Sequence, residues 1–280
     1  MEHIRKALEQ AEKDRADVRS RAPASANVAD TRPVKQISQP AAEVRRERTR
    51  VIDVPHEVLL EHRLVSALPD HKLSDSYRML RTRVLQQMKG HGWNSLAITS
   101  PATGCGKSLT AINLAISLAR EVNNTVLLVD LDLRSPSIHE YFGYQPQAGI
   151  GDYLDGNAEI ADILFSPGNE RLVILPGRKP IMNSSETLRS PKMVSLVQEL
   201  TSRYPDRLVI VDLPPMLATD DALTFSPYVD AILMVAEAGE TRRDDLETSL
   251  QVLKDVPLLG TVLNKAEKTP NQYYGRYGRD

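Results

Sequence analysis

One stretch constrains this chain more than any other: Ile98-Thr99-Ser100-Pro101-Ala102-Thr103-Gly104-Cys105-Gly106-Lys107-Ser108. It follows a short apolar run at residues 95–99 and opens an amphipathic one at 107–121. A strand, a glycine-containing loop, Lys-Ser and then a helix is the context a phosphate-binding loop requires. Thr103, Gly104, Cys105 and Gly106 supply the cradle, where the two glycines let backbone N–H groups approach phosphate oxygens. The N-terminus of the following helix favours the same anion. Lys107 is placed to reach the β- and γ-phosphates, and the Ser108 hydroxyl to ligate Mg²⁺. The strict pattern has Gly where this chain has Pro101. Cys105 reads as a small residue that fits the loop, and as the single cysteine it excludes an intramolecular disulfide framework.

The remaining pattern alternates strands with helices. Strands are expected at 95–99, 125–129, 172–175, 208–211, 231–235 and 258–263. Helices are expected at 74–89, with Ser74 as N-cap, and at 107–121, 190–204 and 241–254, with shorter pieces near 137–142 and 158–164. Continuous apolar strands alternating with helices predict an α/β fold, a mostly parallel sheet covered by helices on both faces. With only 3 Phe and 1 Trp, its core must rest on Val, Leu, Ile and Ala. Residues 1–50 read as an N-terminal helix and flexible basic linker, 51–267 as the phosphate-loop domain, and 268–280 as a flexible tail. The first 50 residues carry 12 basic and 8 acidic groups, net +4, and the other 230 carry 23 and 29, net −6. The run Arg45-Arg46-Glu47-Arg48 suits either a solvated linker or contact with anionic lipid or a partner. A formal charge of −2 argues against a nucleic-acid protein that works by bulk positive field.

Two acidic motifs join the loop. The strand at 125–129 ends in Asp130-Leu131-Asp132-Leu133-Arg134, and carboxylates at the carboxyl end of a parallel strand face the ligand crevice. One of Asp130 and Asp132 can hold Mg²⁺ while the other accepts a hydroxyl proton; sequence leaves open which. The strand at 208–211 ends in Asp212-Leu213-Pro214-Pro215, a second metal-coordinating element. Asn264, closing the last strand, suits either an adenine edge or a turn.

Together these residues resemble the kinase domain of the bacterial tyrosine kinases of capsule and exopolysaccharide loci, over residues 75–280. Ser100–Ser108, Val129–Pro136 and Val211-Asp212-Leu213-Pro214-Pro215 match the family's three nucleotide motifs. The tail Tyr273-Tyr274-Gly275-Arg276-Tyr277 resembles its autophosphorylated tyrosine cluster. Asp75-Ser76-Tyr77-Arg78-Met79-Leu80-Arg81 resembles its oligomerisation motif Glu-x-x-Arg-x-x-Arg, with Asp75 for Glu. The opening Ile4-Arg5-Lys6-Ala7-Leu8-Glu9 is similar to the N-termini of autokinases from loci linked to protein-sorting systems. The resemblance implies an ATP- and Mg²⁺-dependent protein-tyrosine autokinase that regulates polysaccharide polymerisation and export. It implies Lys107, Asp130 and Asp132 as catalytic residues, Ser108, Asp130 and Asp212 at the metal, and Tyr273, Tyr274 and Tyr277 as acceptors. Asp75, Arg78 and Arg81 would assemble a homo-oligomer or ring. A membrane adaptor of the chain-length-regulator type and a cognate tyrosine phosphatase would be its partners.

Two other readings compete: a partition- or division-site-type ATPase switch, and a non-enzymatic nucleotide-binding regulator of a membrane complex. The switch ATPases carry a second loop lysine where this chain has Ala102, and the tyrosine tail also counts against them. No run approaches the roughly 18 apolar residues of a membrane span, and no apolar leader opens the chain. A cytoplasmic protein recruited to the inner membrane face by a partner is the expectation.

Overall fold

Strands that are apolar at every position must be covered on both faces, and this requirement organises the molecule. The computed structural model describes residues 49–121, 124–204 and 206–267, all within one compact unit. Nearly all of the expected N-terminal segment, and the tail with Tyr273, Tyr274 and Tyr277, lie outside the described residues.

From the amino end come β1 (Arg50–Val51), α1 (His56–Glu61), α2 (Ser74–His91), β2 (Ser95–Thr99) and α3 (Lys107–Ala119). Next are β3 (Thr125–Asp130), the short helices α4 (Ile138–Tyr141), α5 (Ile150–Leu154) and α6 (Ile160–Ile163), then β4 (Phe165–Ser166) and β5 (Leu172–Leu175). The chain continues through α7 (Ser184–Leu188), α8 (Pro191–Ser202), β6 (Arg207–Asp212) and α9 (Asp221–Phe225). It then runs through β7 (Ala231–Glu237), α10 (Arg243–Val252) and β8 (Leu258–Asn264). The 8 strands form one sheet in the order β1-β4-β5-β3-β6-β2-β7-β8. All pairings are parallel except β4 with β5.

The expected α/β fold is therefore the observed one. Successive side chains of a strand point to opposite faces, and here both directions are buried. Leu96, Ile98, Val126, Leu128, Leu208 and Ile210 share a cluster with Ala111, Leu114, Ala115 and Leu118 of α3 and with Val84 and Met88 of α2. The alternate residues Ala97, Leu127, Val129, Val209 and Val211 share the other cluster with Met193, Leu196 and Val197 of α8 and Phe225 of α9. Among the described strands, the two edge strands leave large apolar side chains exposed, β1 at Val51 and β8 at Leu258 and Leu263. Ser74 is not the cap of α2. Its N–H donates to His71 O at 2.8 Å, so the preceding turn runs into the helix and Leu73 takes the cap position without a side-chain bond.

Ile210 lies at the middle of β6, fully buried between β3 and β2. Ile210→Ala should cost about 3 kcal/mol, from lost burial and the cavity left behind. Urea unfolding measures it, and the slope with urea should stay unchanged.

Candidate nucleotide-binding site

Parallel register decides where the charges meet. Asp130 closes β3 and Asp212 closes β6, and the two residues are direct partners across the ladder. On the other side of β6, Asp212 partners Ile98 of β2, whose chain runs straight into the loop. Three strand ends thus converge at the carboxyl edge, where open α/β sheets place their ligands. Both aspartates are completely buried.

The loop itself turns on glycine. Gly104 and Gly106 hold φ of 83° and 88°, a region that side chains rarely enter. At Gly106 a Cβ would also lie 2.2 Å from Asn264 Nδ2. No side chain caps α3, so the backbone N–H groups of its first turn remain for an anion. The chain after β6 braces the loop from behind: Met216 N donates to Ser100 O at 2.8 Å and Leu217 N to Pro101 O at 3.2 Å. Ala102, Thr103 and Gly104 are exposed at its tip, whereas Cys105 is buried.

Lys107 joins the three motifs. Its Nζ lies 2.8 Å from Asp132 Oδ2, 3.4 Å from Asp212 Oδ2 and 3.0 Å from Ser108 Oγ. Burial alone would lower the ammonium's pKa, but the charges of Asp212 and Asp132 outweigh it and hold the group above the ordinary lysine value. Asp212 moves up as well, because burial exceeds the opposing effect of Lys107. Asp130 is pushed up to about 8, by burial first and by the neighbouring charge of Asp212 second. One of its oxygens, Oδ2, accepts the N–H groups of Ser137 and Ile138, both at 3.0 Å, and so starts α4. The other, Oδ1, is buried without a hydrogen-bond partner.

That unpartnered oxygen, Asp212 and the Ser108 hydroxyl form a hard-oxygen set suited to Mg²⁺. Among the described residues no group of three or more His, Cys, Asp or Glu side chains is arranged to hold an ion by itself. An ion that keeps waters and takes phosphate oxygens fits such a site.

The structure therefore brings Thr103, Gly104, Cys105, Gly106, Lys107, Ser108, Asp130, Asp132 and Asp212 to one edge of the sheet. Asn264 reaches the same place, but its Nδ2 donates to Cys105 O at 2.9 Å, so the amide donor braces the loop. The helical charges separate. Asp75 and Arg78 are exposed and paired at 3.1 Å, whereas Arg81 turns inward, donating to Ser117 O at 3.2 Å and pairing with Glu121 at 3.0 Å. Sequence reading missed Tyr141, half-buried on α4 and raised in pKa by burial and then by the charge of Asp212. It also missed Thr241, whose Oγ1 lies 3.7 Å from Cys105 Sγ. Neither stands in a recognisable motif.

A phosphate loop answered by buried acids on two neighbouring strands defines a phosphate-loop nucleotide-binding protein. Residues 96–275 match the CobQ/CobB/MinD/ParA nucleotide binding domain. The chain is 33% identical over 226 residues to the putative tyrosine-protein kinase EpsB of Ralstonia nicotianae, covering 78% of this chain and 29% of that protein. It is 30% identical to the tyrosine-protein kinase YwqD of Bacillus subtilis, covering 73% of this chain and 86% of that protein. The kinase domain of the Escherichia coli tyrosine kinase ETK superposes with a TM-score of 0.67 at 26% identity, over 80% of this chain and 94% of that one. The septum site-determining protein MinD of Pyrococcus horikoshii, at 24% identity and a TM-score of 0.53 over 63% of this chain and 72% of its own, shares the fold. The chain belongs to the CobQ/CobB/MinD/ParA nucleotide-binding family and, within it, to the bacterial tyrosine-protein kinases. It spans 29% of the length of EpsB. Among the described residues no helix is long and apolar enough to cross a membrane.

The raised Asp130 gives a test by pH. An unfolded chain loses this proton near the ordinary value of 3.8, whereas the folded chain keeps it to about 8. Between those limits the folded state binds more protons, so this group makes stability fall as pH rises. Asp130→Asn keeps the acceptor for Ser137 and Ile138 and cannot ionise. Its melting temperature should gain on the wild type from about pH 4 to about pH 8 and hold that gain above, which scanning calorimetry across this range checks.

Proposed function

We propose that this chain is an ATP- and Mg²⁺-dependent protein-tyrosine autokinase that phosphorylates Tyr273, Tyr274 and Tyr277 between subunits. The observation that carries the reading is Lys107, a buried ammonium held within 3.5 Å of Asp132 and Asp212 at the mouth of the loop. Bound ATP offers this cation a stronger anion, and Lys107 then neutralises charge on the β- and γ-phosphates. Ser108, Asp212 and Asp130 would hold Mg²⁺, which supplies charge neutralisation of the transferring phosphoryl group when bound. The acceptor phenol forms a bond to the γ-phosphorus while the bond to the β–γ bridging oxygen breaks, and ADP leaves with that electron pair. Asp132 is our choice for the phenol's proton, since it alone of the two candidates retains some exposure, 6% against 0%. Most of the acceleration comes from positioning and charge stabilisation.

The relatives' names support the kinase reading, and the tail supplies acceptors. Three of the 9 tyrosines stand within five residues of a polar segment. A homo-oligomer presents one subunit's tail to another, with Asp75 and Arg78 as the exposed charges of α2. A membrane adaptor of chain-length-regulator type recruits the kinase to the inner face, a cognate phosphatase reverses it, and polysaccharide polymerisation and export is the regulated process. Each phosphotyrosine adds about −1.5 to −2 charges, so a modified tail is repelled from the acidic site.

Incubation of the purified chain with ATP and Mg²⁺, followed by phosphosite mapping, tests this. Phosphate should appear on the three tail tyrosines, and Lys107→Met should abolish transfer in a folded protein. Phenylalanine at all three positions should remove most phosphotyrosine and leave ATP binding intact. ATP hydrolysis without phosphotyrosine in the wild type would favour a switch ATPase instead.

A further inference from the structure

Behind the acidic motif lies a further buried carboxylate, Asp221, that the reaction scheme does not use. Asp221 begins α9 and is completely buried. A buried carboxylate needs a charged partner, and loss of that partner is costly. Arg134 provides it: Nε lies 3.3 Å from Asp221 Oδ2 and donates to Ser184 Oγ of α7 at 2.9 Å. The Ser185 hydroxyl, also on α7, lies 2.6 Å from Asp221 Oδ1 and 2.5 Å from Asp220 Oδ1. The Arg134 side chain is 45% exposed, so it is a strap across the surface rather than a core contact.

The strap matters because of what it holds. Arg134 stands two residues beyond Asp132, the carboxylate paired with Lys107 at 2.8 Å. Between them, Leu133 O accepts from Ile181 N at 2.8 Å, and Asp132 itself accepts from Ser135 N at 3.2 Å. Asp221 ends the segment that begins at Asp212 and braces the phosphate loop through Met216 and Leu217. One ion pair therefore joins the turn bearing Asp132 to the segment bearing Asp212. Lys107 sits between those two carboxylates.

We infer that Asp221 and Arg134 form a positioning pair, which sets the distance of Asp132 from Lys107 and so the rate of phosphoryl transfer from ATP. The inference deepens the phosphotransfer reading above, and neither residue is among those assigned to the phosphates or the metal. Asp221→Asn keeps shape and the acceptor for Ser185 but releases Arg134; Arg134→Gln releases the strap from the exposed side, where folding is least at risk. Reaction-centre geometry governs turnover, whereas the loop backbone governs affinity.

The experiment measures ATP consumption, phosphotyrosine yield, affinity for Mg²⁺-ADP and melting temperature for wild type, Asp221→Asn, Arg134→Gln and the double variant. Each single variant should lose tenfold or more in kcat with Mg²⁺-ADP affinity within about twofold of wild type. The double variant should be no worse than either single one, since both cut one link. Arg134→Lys should restore part of the rate. Wild-type kcat in a folded Arg134→Gln would overturn the pair, as would a loss of kcat matched by equal losses in nucleotide affinity and melting temperature. ATP consumption separates this inference from the kinase reading. If the wild type consumes ATP but makes no phosphotyrosine, the kinase reading fails and the pair is still judged on turnover. If it consumes none, both fail.

Discussion

Two carboxylates facing each other across a parallel ladder, with one ammonium to answer them, is the constraint from which the rest of the site follows. The sheet sets the ladder spacing, so Asp130 and Asp212 cannot move apart. Like charges at that separation, in a site without exposure, cannot both ionise freely. Burial and then the charge of Asp212 raise Asp130, and Lys107, which pairs with Asp212 rather than with Asp130, offsets that only in part. Two backbone N–H groups on Asp130 limit that rise and, in doing so, fix the start of α4. An electrostatic necessity at the strand ends thus shapes the loop that follows, and a dication with phosphate oxygens would supply the charge the site lacks.

The same constraint explains the cover of the sheet. The acids are buried only because the strands beneath them are, and that burial needs helices on both faces. α3 does double duty, packing Ala111, Leu114 and Leu118 under the sheet while presenting its first turn to the loop. A helix anchored this firmly cannot shift when phosphate arrives. The parts free to respond are side chains, Lys107 foremost, and the exposed loop tip from Ala102 to Gly104.

What sequence made legible was what has a period or a motif. Six strands of four to seven residues stand where continuous apolar runs placed them, and the loop and both acidic motifs lie at the carboxyl ends of those strands, as a parallel sheet requires. What it left hidden has a physical reason in each case. β1 and β4 are two residues each, too short to show alternation, and α5, α7 and α9 are shorter than two turns. Arg81 belongs to a recognisable spacing, but packing against α3 turned it inward, an outcome no spacing reveals. Asn264 stood in sequence as either an adenine-edge residue or a turn residue; the fold instead sets it against Gly106, with its donor on Cys105 O of the loop.

Fold alone does not choose between a kinase and a switch that splits ATP, because the strand-end acids and the loop serve both. The difference must lie in what approaches the γ-phosphate. Ala102 stands in sequence where a switch ATPase would be expected to carry a second loop lysine, and that residue is exposed and uncharged. Without that cation the loop tip leaves room, and the charge balance at the site depends on Lys107, on a bound dication and on what a neighbouring molecule brings. A neutral phenol is a fitting guest for a site already carrying Asp130, Asp132 and Asp212, because it adds no negative charge until the proton leaves. Once phosphorylated it becomes strongly anionic and is repelled by those same carboxylates. Under the proposed autokinase reading, one set of charges would therefore favour the acceptor before transfer and disfavour it afterwards, and so would promote release of a phosphorylated tail.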